Sequence, residues 1–393
     1  MPLGLYISVP FCKTKCSYCN FASDVFSRTV FETYVSRMCV EIEQAAETAD
    51  HMGGLLDCAV DSLYFGGGTP TLLDVTELER IFVTIRQNFG ILKSAEITVE
   101  CAPGTLNSAV IENLRRCGAN RGSLGVQSFD DKEAASVGRL HKHATVIDDI
   151  ARLRSAGISN INVDLIAGLP HQTRQSWEAS LDQLISLEVP HVSIYMLEVD
   201  DDSRLGRELI AGGQKYHAHF VPDEDLTADM YEIAVERLNA AGIRQYEISN
   251  FARAGFESRH NLKYWTRQPY LGFGVDAHSM LHSADAGCAV RFSNSDSLEK
   301  YLSGAAKERT VVSSEDALQE TFFLGLRMTK GVDLRTLRLE LGENQVSAYN
   351  QSISELAQAG LLEKNAATIR LTAKGRMLSN EVFERFISVD LAV

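Results

Sequence analysis

The sequence predicts an α/β protein whose first half is a parallel sheet with helical crossovers. Three observations carry that prediction. Short apolar, β-branched runs alternate with segments of helical period from residue 5 to about residue 200. Glycines stop two of the helices, and polar or glycine-rich residues gather where the runs end.

In chain order, the predicted strands are Leu5–Val9, Ala59–Phe65, Glu96–Cys101, Gly122–Gln127, Ile158–Ile166 and His191–Leu197. Between them the predicted helices are Phe31–Ala46, Val75–Asn88, Ser108–Cys117, Ala144–Ala156 and Ser176–Leu187. In Ala144–Ala156 the residues Val146, Ile147, Ile150, Leu153 and Ala156 keep to one face at helical spacing. Gly118 and Gly157 stand just past their helices, where a residue tolerant of positive φ ends the last turn. Six such strands either curl towards a barrel or wind as an open sheet, and in both cases ligands collect at the carboxyl ends of the strands. Here those ends carry cysteines after the first strand, Gly66–Thr69 after the second, Glu100 on the third and Gln127 on the fourth.

The chain divides into a core over residues 1–200, an extension over 201–310 and a small helical domain over 311–393. The extension contains a predicted helix at Leu226–Ala241, a strand-like Tyr246–Phe251 and the aromatic-rich "HNLKYWTRQPYLGFGVDAHSM". In the last part "LRTLRLELG" and "YNQSISELAQAGLLEK" read as helices, and "TIRLTAKGRML" as a strand turning into a helix, an order similar to a winged helix.

Composition bounds the function. Of 393 residues, 45% are hydrophobic and 23% charged, as in ordinary globular proteins, and the formal net charge is −14. That balance argues against electrostatic capture of nucleic acid or anionic lipid. The C-terminal domain repeats it: from Gly331 to Val393 there are seven Lys/Arg and eight Asp/Glu, a poor phosphate binder, so a packing lid or partner-docking surface is expected there. No run approaches the ~20 apolar residues of a membrane-spanning helix, and the first residues lead directly into a strand without a cleavable apolar region. Eight cysteines over this length do not form a secreted disulfide framework, so a reduced, cytoplasmic protein is expected.

Cys12, Cys16 and Cys19 lie in "YISVPFCKTKCSYCNF", with Phe21 where a fourth cysteine would extend the pattern. An odd number of thiols in a reducing compartment disfavours a disulfide. Zinc usually takes four ligands, commonly in two separated pairs, and no nearby Cys or His completes such a set. An iron–sulfur cluster takes cysteine thiolates, and three ligands on [4Fe–4S] leave one iron open to a substrate. That spacing after the first strand of a βα array resembles the radical S-adenosylmethionine (SAM) superfamily, in which the open iron chelates the amino and carboxylate groups of SAM. The implied fold is an incomplete (β/α)6 radical SAM barrel followed by a helical, winged-helix-like domain.

The resemblance narrows further. "YISVPFC", "GGGTPT", "VE", "GVQSF", "GRLH" and "NVDLIAGLPHQT" come in the order and spacing of the oxygen-independent coproporphyrinogen III oxidase group. It implies SAM contacts at Tyr6, Tyr18, Gly67, Gly68, Thr69, Glu100, Gln127, Arg139 and Asp164, and cluster ligation by Cys12, Cys16 and Cys19. True oxidases carry a fourth cysteine, where this chain has Phe21, and a longer segment ahead of the first strand. Both departures, and "HNLKYW" from His260 to Trp265, resemble the HemW-type heme chaperones. That likeness implies heme as a ligand, with His260 on the iron and Tyr264 and Trp265 beside the porphyrin; His278 is a second candidate. It further implies delivery of heme to apo-hemoproteins of the respiratory chain, an electron donor, a homodimer, and peripheral contact with the membrane during delivery. Nucleic acid is not expected as a partner. The alternative function is oxidative decarboxylation of coproporphyrinogen III by a SAM-derived radical; a radical SAM enzyme modifying RNA is disfavoured by charge.

Overall fold

The computed structural model describes residues 1–285 and 287–387. Six parallel strands form its centre in sequence order: β1 (Leu3–Val9), β2 (Ala59–Gly67), β3 (Gly90–Cys101), β4 (Arg121–Gln127), β5 (Asn160–Ala167) and β6 (His191–Met196). Each pairs in parallel with the next. Two short antiparallel strands, β7 (Arg244–Gln245) and β8 (Asn250–Ala252), extend the sheet beyond β6. On the other side β9 (Tyr270–Phe273) runs parallel to β1, followed by the antiparallel β10 (His278–His282), β11 (Ala289–Ser293) and β12 (Glu308–Val312). Among the described residues the end strands β12 and β7 do not pair, so the sheet stays an open barrel.

Five crossover helices follow the sequence expectation: Thr29–Glu43, Val75–Asn88, Ser108–Arg116, His143–Ser155 and Arg174–Ser186. Local chemistry sets their ends. Asp74 and Glu77 form a reciprocal capping box before Val75, and the Asn107 side chain accepts from the Val110 amide. Gly118 and Gly157 take φ of +83° and +87° past their helices, as stop signals should.

The strands bury two unlike faces. Leu5, Ile7, Leu63, Phe65, Ile97, Val99, Leu124, Val163, Leu165, Val192 and Ile194 belong to the main apolar core. The alternate positions are polar: Ser62 and Tyr64 on β2, Glu96, Thr98 and Glu100 on β3, Arg121 and Ser123 on β4, Asn162 and Asp164 on β5, His191 and Ser193 on β6. Parallel strands covered by apolar layers on both sides read as continuous hydrophobic runs. Polar alternation instead marks a concave face that holds something other than a core.

Two expected elements differ. Tyr246–Phe251 is not one strand: β7 ends at Gln245 and β8 begins at Asn250, with a turn between them closed by Asn250 N–H donating to the Glu247 carbonyl at 3.2 Å. The buried Glu247 and its hydrogen-bonded neighbour Asn250 bend the chain there. The predicted helix "YNQSISELAQAGLLEK" ends at Gln358, because Gly360 adopts φ +72° and β14 (Leu362–Lys364) follows. With β13 (Val332–Asp333) and β15 (Thr368–Leu371) it forms a second antiparallel sheet, order β13-β15-β14. The helices Leu334–Leu341, Asn350–Gln358 and Ser379–Ile387 pack on this sheet around a separate core that includes Phe322, Leu337, Ile353, Ile369 and Phe386.

Candidate functional site

The cysteine loop leaves β1 and is tied down on several sides. The Cys12 amide donates to Asp24 O at 2.9 Å, the Ser17 amide to Val137 O at 3.1 Å and the Leu205 amide to Ser17 O at 2.8 Å. The Lys15 ammonium caps the carbonyls of Phe21 and Ser23 at 2.9 and 2.8 Å. These bonds turn Cys12, Cys16 and Cys19 towards one cavity of about 1300 Å³, and all three cysteines line it. None is in a disulfide. Burial pushes the Cys12 and Cys19 thiols up, so thiolates there need a compensating positive centre. Among the described residues no three Cys, His, Asp or Glu side chains converge as ligands of a single ion. A cluster puts each thiolate on a different iron and spreads them wider, so the donor set fits [4Fe–4S] better than zinc.

Beneath the loop, β2 ends in Gly66 and Gly67, and Gly68 follows it. A Cβ on Gly68 would lie 2.7 Å from Val9 O and 2.8 Å from Phe11 O, so only glycine lets the strand end pass under the loop. The Thr69 amide donates to Phe11 O at 2.8 Å, fixing that approach. The Glu100 carboxylate accepts from the Tyr64 hydroxyl at 2.8 Å, and burial raises its pKa to about 7. Asp164 accepts from Asn162 Nδ2 at 2.7 Å and from Ser123 Oγ at 3.3 Å, and burial raises it too. Gln127 sits at a register shift in the β4–β5 pairing with φ +70°, and its buried Oε1 has no hydrogen-bond partner among the described residues. Strain and an orphaned acceptor in a cavity wall point to a ligand. Arg139 donates to Gly125 O and approaches Cys16 Sγ at 3.7 Å, which brings its cation to the cysteine loop.

Tyr18, Gly67, Gly68, Thr69, Glu100, Gln127, Arg139 and Asp164 therefore share one cavity with the cysteines. Tyr6 does not line it; its ring joins Tyr64 and His260 in a three-ring cluster, with centroids 6.1 and 6.3 Å from its own and 5.3 Å from each other. Phe21 does line it, at the rim, and is 64% exposed.

His260 is not brought to the cavity. It lies on the helix Arg259–Trp265, is 1% exposed, and has both ring nitrogens engaged: Nδ1 with Ser62 Oγ at 3.1 Å and Nε2 with Tyr264 Oη at 2.8 Å. Burial lowers its pKa to about 3, with Lys263 and Arg121 adding repulsion, so the imidazole is neutral. In this arrangement the expected iron ligand has no free lone pair, and ligation would require the Tyr264 hydroxyl to leave Nε2. His278 is exposed on β10, 3.8 Å from Asp276 and away from the cavity lining.

Sequence reasoning missed much of the inner wall. Arg121, Ser123, Asn162, Ser193 and Tyr195 line the cavity, and their signal was the polar alternation within otherwise apolar strands. The C-terminal domain, expected as a packing lid or partner-docking surface, supplies a wall through Arg327, Arg376, Met377, Leu378 and Ser379, none of which the sequence singled out.

Comparison with known proteins bears on the family and the fold. Residues 6–184 match the Radical SAM superfamily and residues 312–378 the HemN C-terminal domain. The heme chaperone HemW of Lactococcus lactis is 33% identical over 99% of this chain and 98% of its own length. HemW of Bacillus subtilis is 34% identical over 97% and 98%. A mitochondrial protein of Bos taurus, radical S-adenosyl methionine domain-containing protein 1, is 32% identical over 95% of this chain and 84% of its own. The solved structure of Escherichia coli coproporphyrinogen III oxidase, HemN, superposes with a TM-score of 0.82 at 24% identity, covering 98% of this chain and 90% of that one, a likeness of fold.

Proposed function

The chain belongs to the HemW family of heme chaperones within the radical SAM superfamily, and from that premise we propose that it binds heme and delivers it to apo-hemoproteins. The observation that carries the reading is full-length kinship: relatives named heme chaperone align end to end, through the barrel, the HNxxYW helix and the C-terminal domain alike.

On this reading Cys12, Cys16 and Cys19 hold a [4Fe–4S] cluster, and SAM lies along the strand ends. The cluster, when bound, offers one open iron to the amino and carboxylate groups of SAM. Thr69 and the flanking Gly67 and Gly68 leave room and polar atoms for the amino group. Arg139 supplies a cation for the carboxylate, and Glu100, Gln127 and Asp164 supply acceptors for ribose hydroxyls. Tyr18 walls the site, and Tyr6 backs it through the ring of Tyr64. Supporting this assignment are the shared cavity, the orphaned Gln127 Oε1 and the steric need for Gly68.

Heme is the cargo. His260 takes the iron on this reading once the helix Arg259–Trp265 opens enough to release Nε2 from Tyr264. The acceptors are apo-hemoproteins of the respiratory chain, reached from the cytoplasm by peripheral contact; among the described residues no helix is long and apolar enough to cross a membrane. An electron donor to the cluster and a homodimer complete the proposal.

The test is anaerobic reconstitution with iron, sulfide and SAM, followed by two assays on one sample. Heme binding without conversion of coproporphyrinogen III to protoporphyrinogen IX is expected; robust turnover with no heme binding would overturn the reading.

A further inference from the structure

The cavity runs past the predicted SAM residues to the seam between the barrel and the C-terminal domain, and three arginines stand along it that form no close ion pair among the described residues. Arg121, at the start of β4, is 2% exposed, and its Nε has no hydrogen-bond partner among the described residues. Arg327 follows the helix Ser314–Leu326, lies 4.3 Å over the Trp265 ring, and its Nε likewise has no partner among the described residues. Arg376 donates to the Leu371 carbonyl at 3.2 Å. All three line the cavity, and among the described residues none has a carboxylate oxygen within 4.0 Å.

Arg121 is buried, whereas Arg327 and Arg376 are half-buried and keep part of their surface open to the cavity. A buried guanidinium loses its hydration and normally regains it through a paired acid. Arg121 feels the charges of Glu96, Glu100 and Asp164, and Arg327 that of Glu247, yet among the described residues none of these carboxylates closes on a guanidinium within 4.0 Å. Arg327 and Arg376 also act on one spot. The Tyr231 phenol, pushed up to about 12 by burial and by Glu247, is drawn back by the charges of both arginines. Tyr231, Met377 and Leu378 line the cavity beside them, so the cations border an aromatic and apolar surface.

We propose that Arg327 and Arg376, backed by Arg121, recognise the propionate carboxylates of heme. The inference rests on the reading that this chain carries heme. Heme presents a flat apolar body with two carboxylates on one edge, and the planar fork of arginine pairs with a carboxylate through two parallel hydrogen bonds. Trp265, under Arg327, is next to Tyr264, the residue that holds His260 Nε2, so the arginine wall adjoins the helix that would present the iron ligand. The other carboxylate at hand is that of SAM, and Arg139, 3.7 Å from Cys16 Sγ, already stands at the cluster end to meet it.

The test titrates the full, anaerobically reconstituted chain, with SAM present, with ferric heme and with its dimethyl ester, following Soret absorbance. The wild type is expected to prefer the free acid by roughly ten-fold or more, the scale of a lost charge-assisted hydrogen bond. The R327Q/R376Q double variant is expected to lose that preference by weakening heme, with ester affinity, iron content and SAM affinity unchanged. Equal binding of heme and ester by the wild type would overturn the inference and leave the heme-carrier reading standing, and this comparison needs no variant to fold. Retained preference in the double variant, or loss of SAM instead of heme, would overturn it as well. A wild type that binds neither porphyrin contradicts the carrier reading itself.

Discussion

The Tyr64 hydroxyl donates to the Glu100 carboxylate at 2.8 Å on the concave face of the sheet, where burial has raised the Glu100 pKa to about 7. Between its ordinary value and that one, folded chains hold a proton that unfolded chains release. Stability from this group is therefore present at acid pH and lost as pH rises towards 7. Glu100→Gln is expected to raise the stability at pH 8 by at most on the order of 3 kcal/mol, read as a higher Tm, and to leave Tm nearly unchanged at pH 4.5. Melts at the two pH values check this; equal shifts at both would contradict it. If the carboxylate form accepts a SAM hydroxyl, the same variant should also flatten a rise in SAM affinity across neutral pH.

Cys16 is the most buried of the three loop thiols, at 8% exposure, and receives Arg139 at 3.7 Å. Cys16→Ala should leave two ligands and no stable cluster. Iron analysis and the charge-transfer absorbance of the reconstituted protein read this directly, and cluster at full occupancy would contradict ligation by Cys16.

Gly68 passes beneath the cysteine loop with no room for a methyl group, and the neighbours that a Cβ would strike are backbone carbonyls that cannot rotate away. Gly68→Ala is expected to destabilise the fold by about 1–3 kcal/mol and to lower iron loading, because the loop must lift. Denaturant midpoint and iron per chain measure the two effects. A variant that matched wild type in both would show that the loop has slack.

His260 is expected to matter twice. His260→Ala removes partners from Ser62 and Tyr264 inside the barrel, costing roughly 2 kcal/mol, and should weaken heme while leaving the cluster spectrum intact. Unchanged heme affinity would remove it as an iron ligand and leave the structural role alone.

The sequence was most legible where periodicity and termination coincided. The six parallel strands and their crossovers follow from alternating runs, and Gly118 and Gly157 stop their helices with the positive φ expected of them. The cavity-facing residues at strand ends were legible for the same reason, since Thr69, Glu100 and Gln127 each stand at or just past the end of a strand. His260 was harder: a signature names the residue, but its two hydrogen bonds come from β2 and from its own helix, a relation only the fold creates. The wall of Arg121, Arg327 and Arg376 was invisible for a stronger reason. Its members are separated by some 250 positions, and nothing local marks an arginine that forms no close ion pair. The short turn at Glu247–Asn250 was lost because an apolar, strand-like composition conceals a bend set by side-chain hydrogen bonds.

The most direct measurement is transfer of heme from the loaded protein to an apo-cytochrome of the respiratory chain, followed by Soret absorbance and recovery of the acceptor's activity. The account predicts that the loaded chain reconstitutes the acceptor faster than free heme does, and that SAM and an intact cluster support that rate. Reconstitution no faster than from free heme, with coproporphyrinogen III consumed by the same preparation, would contradict it.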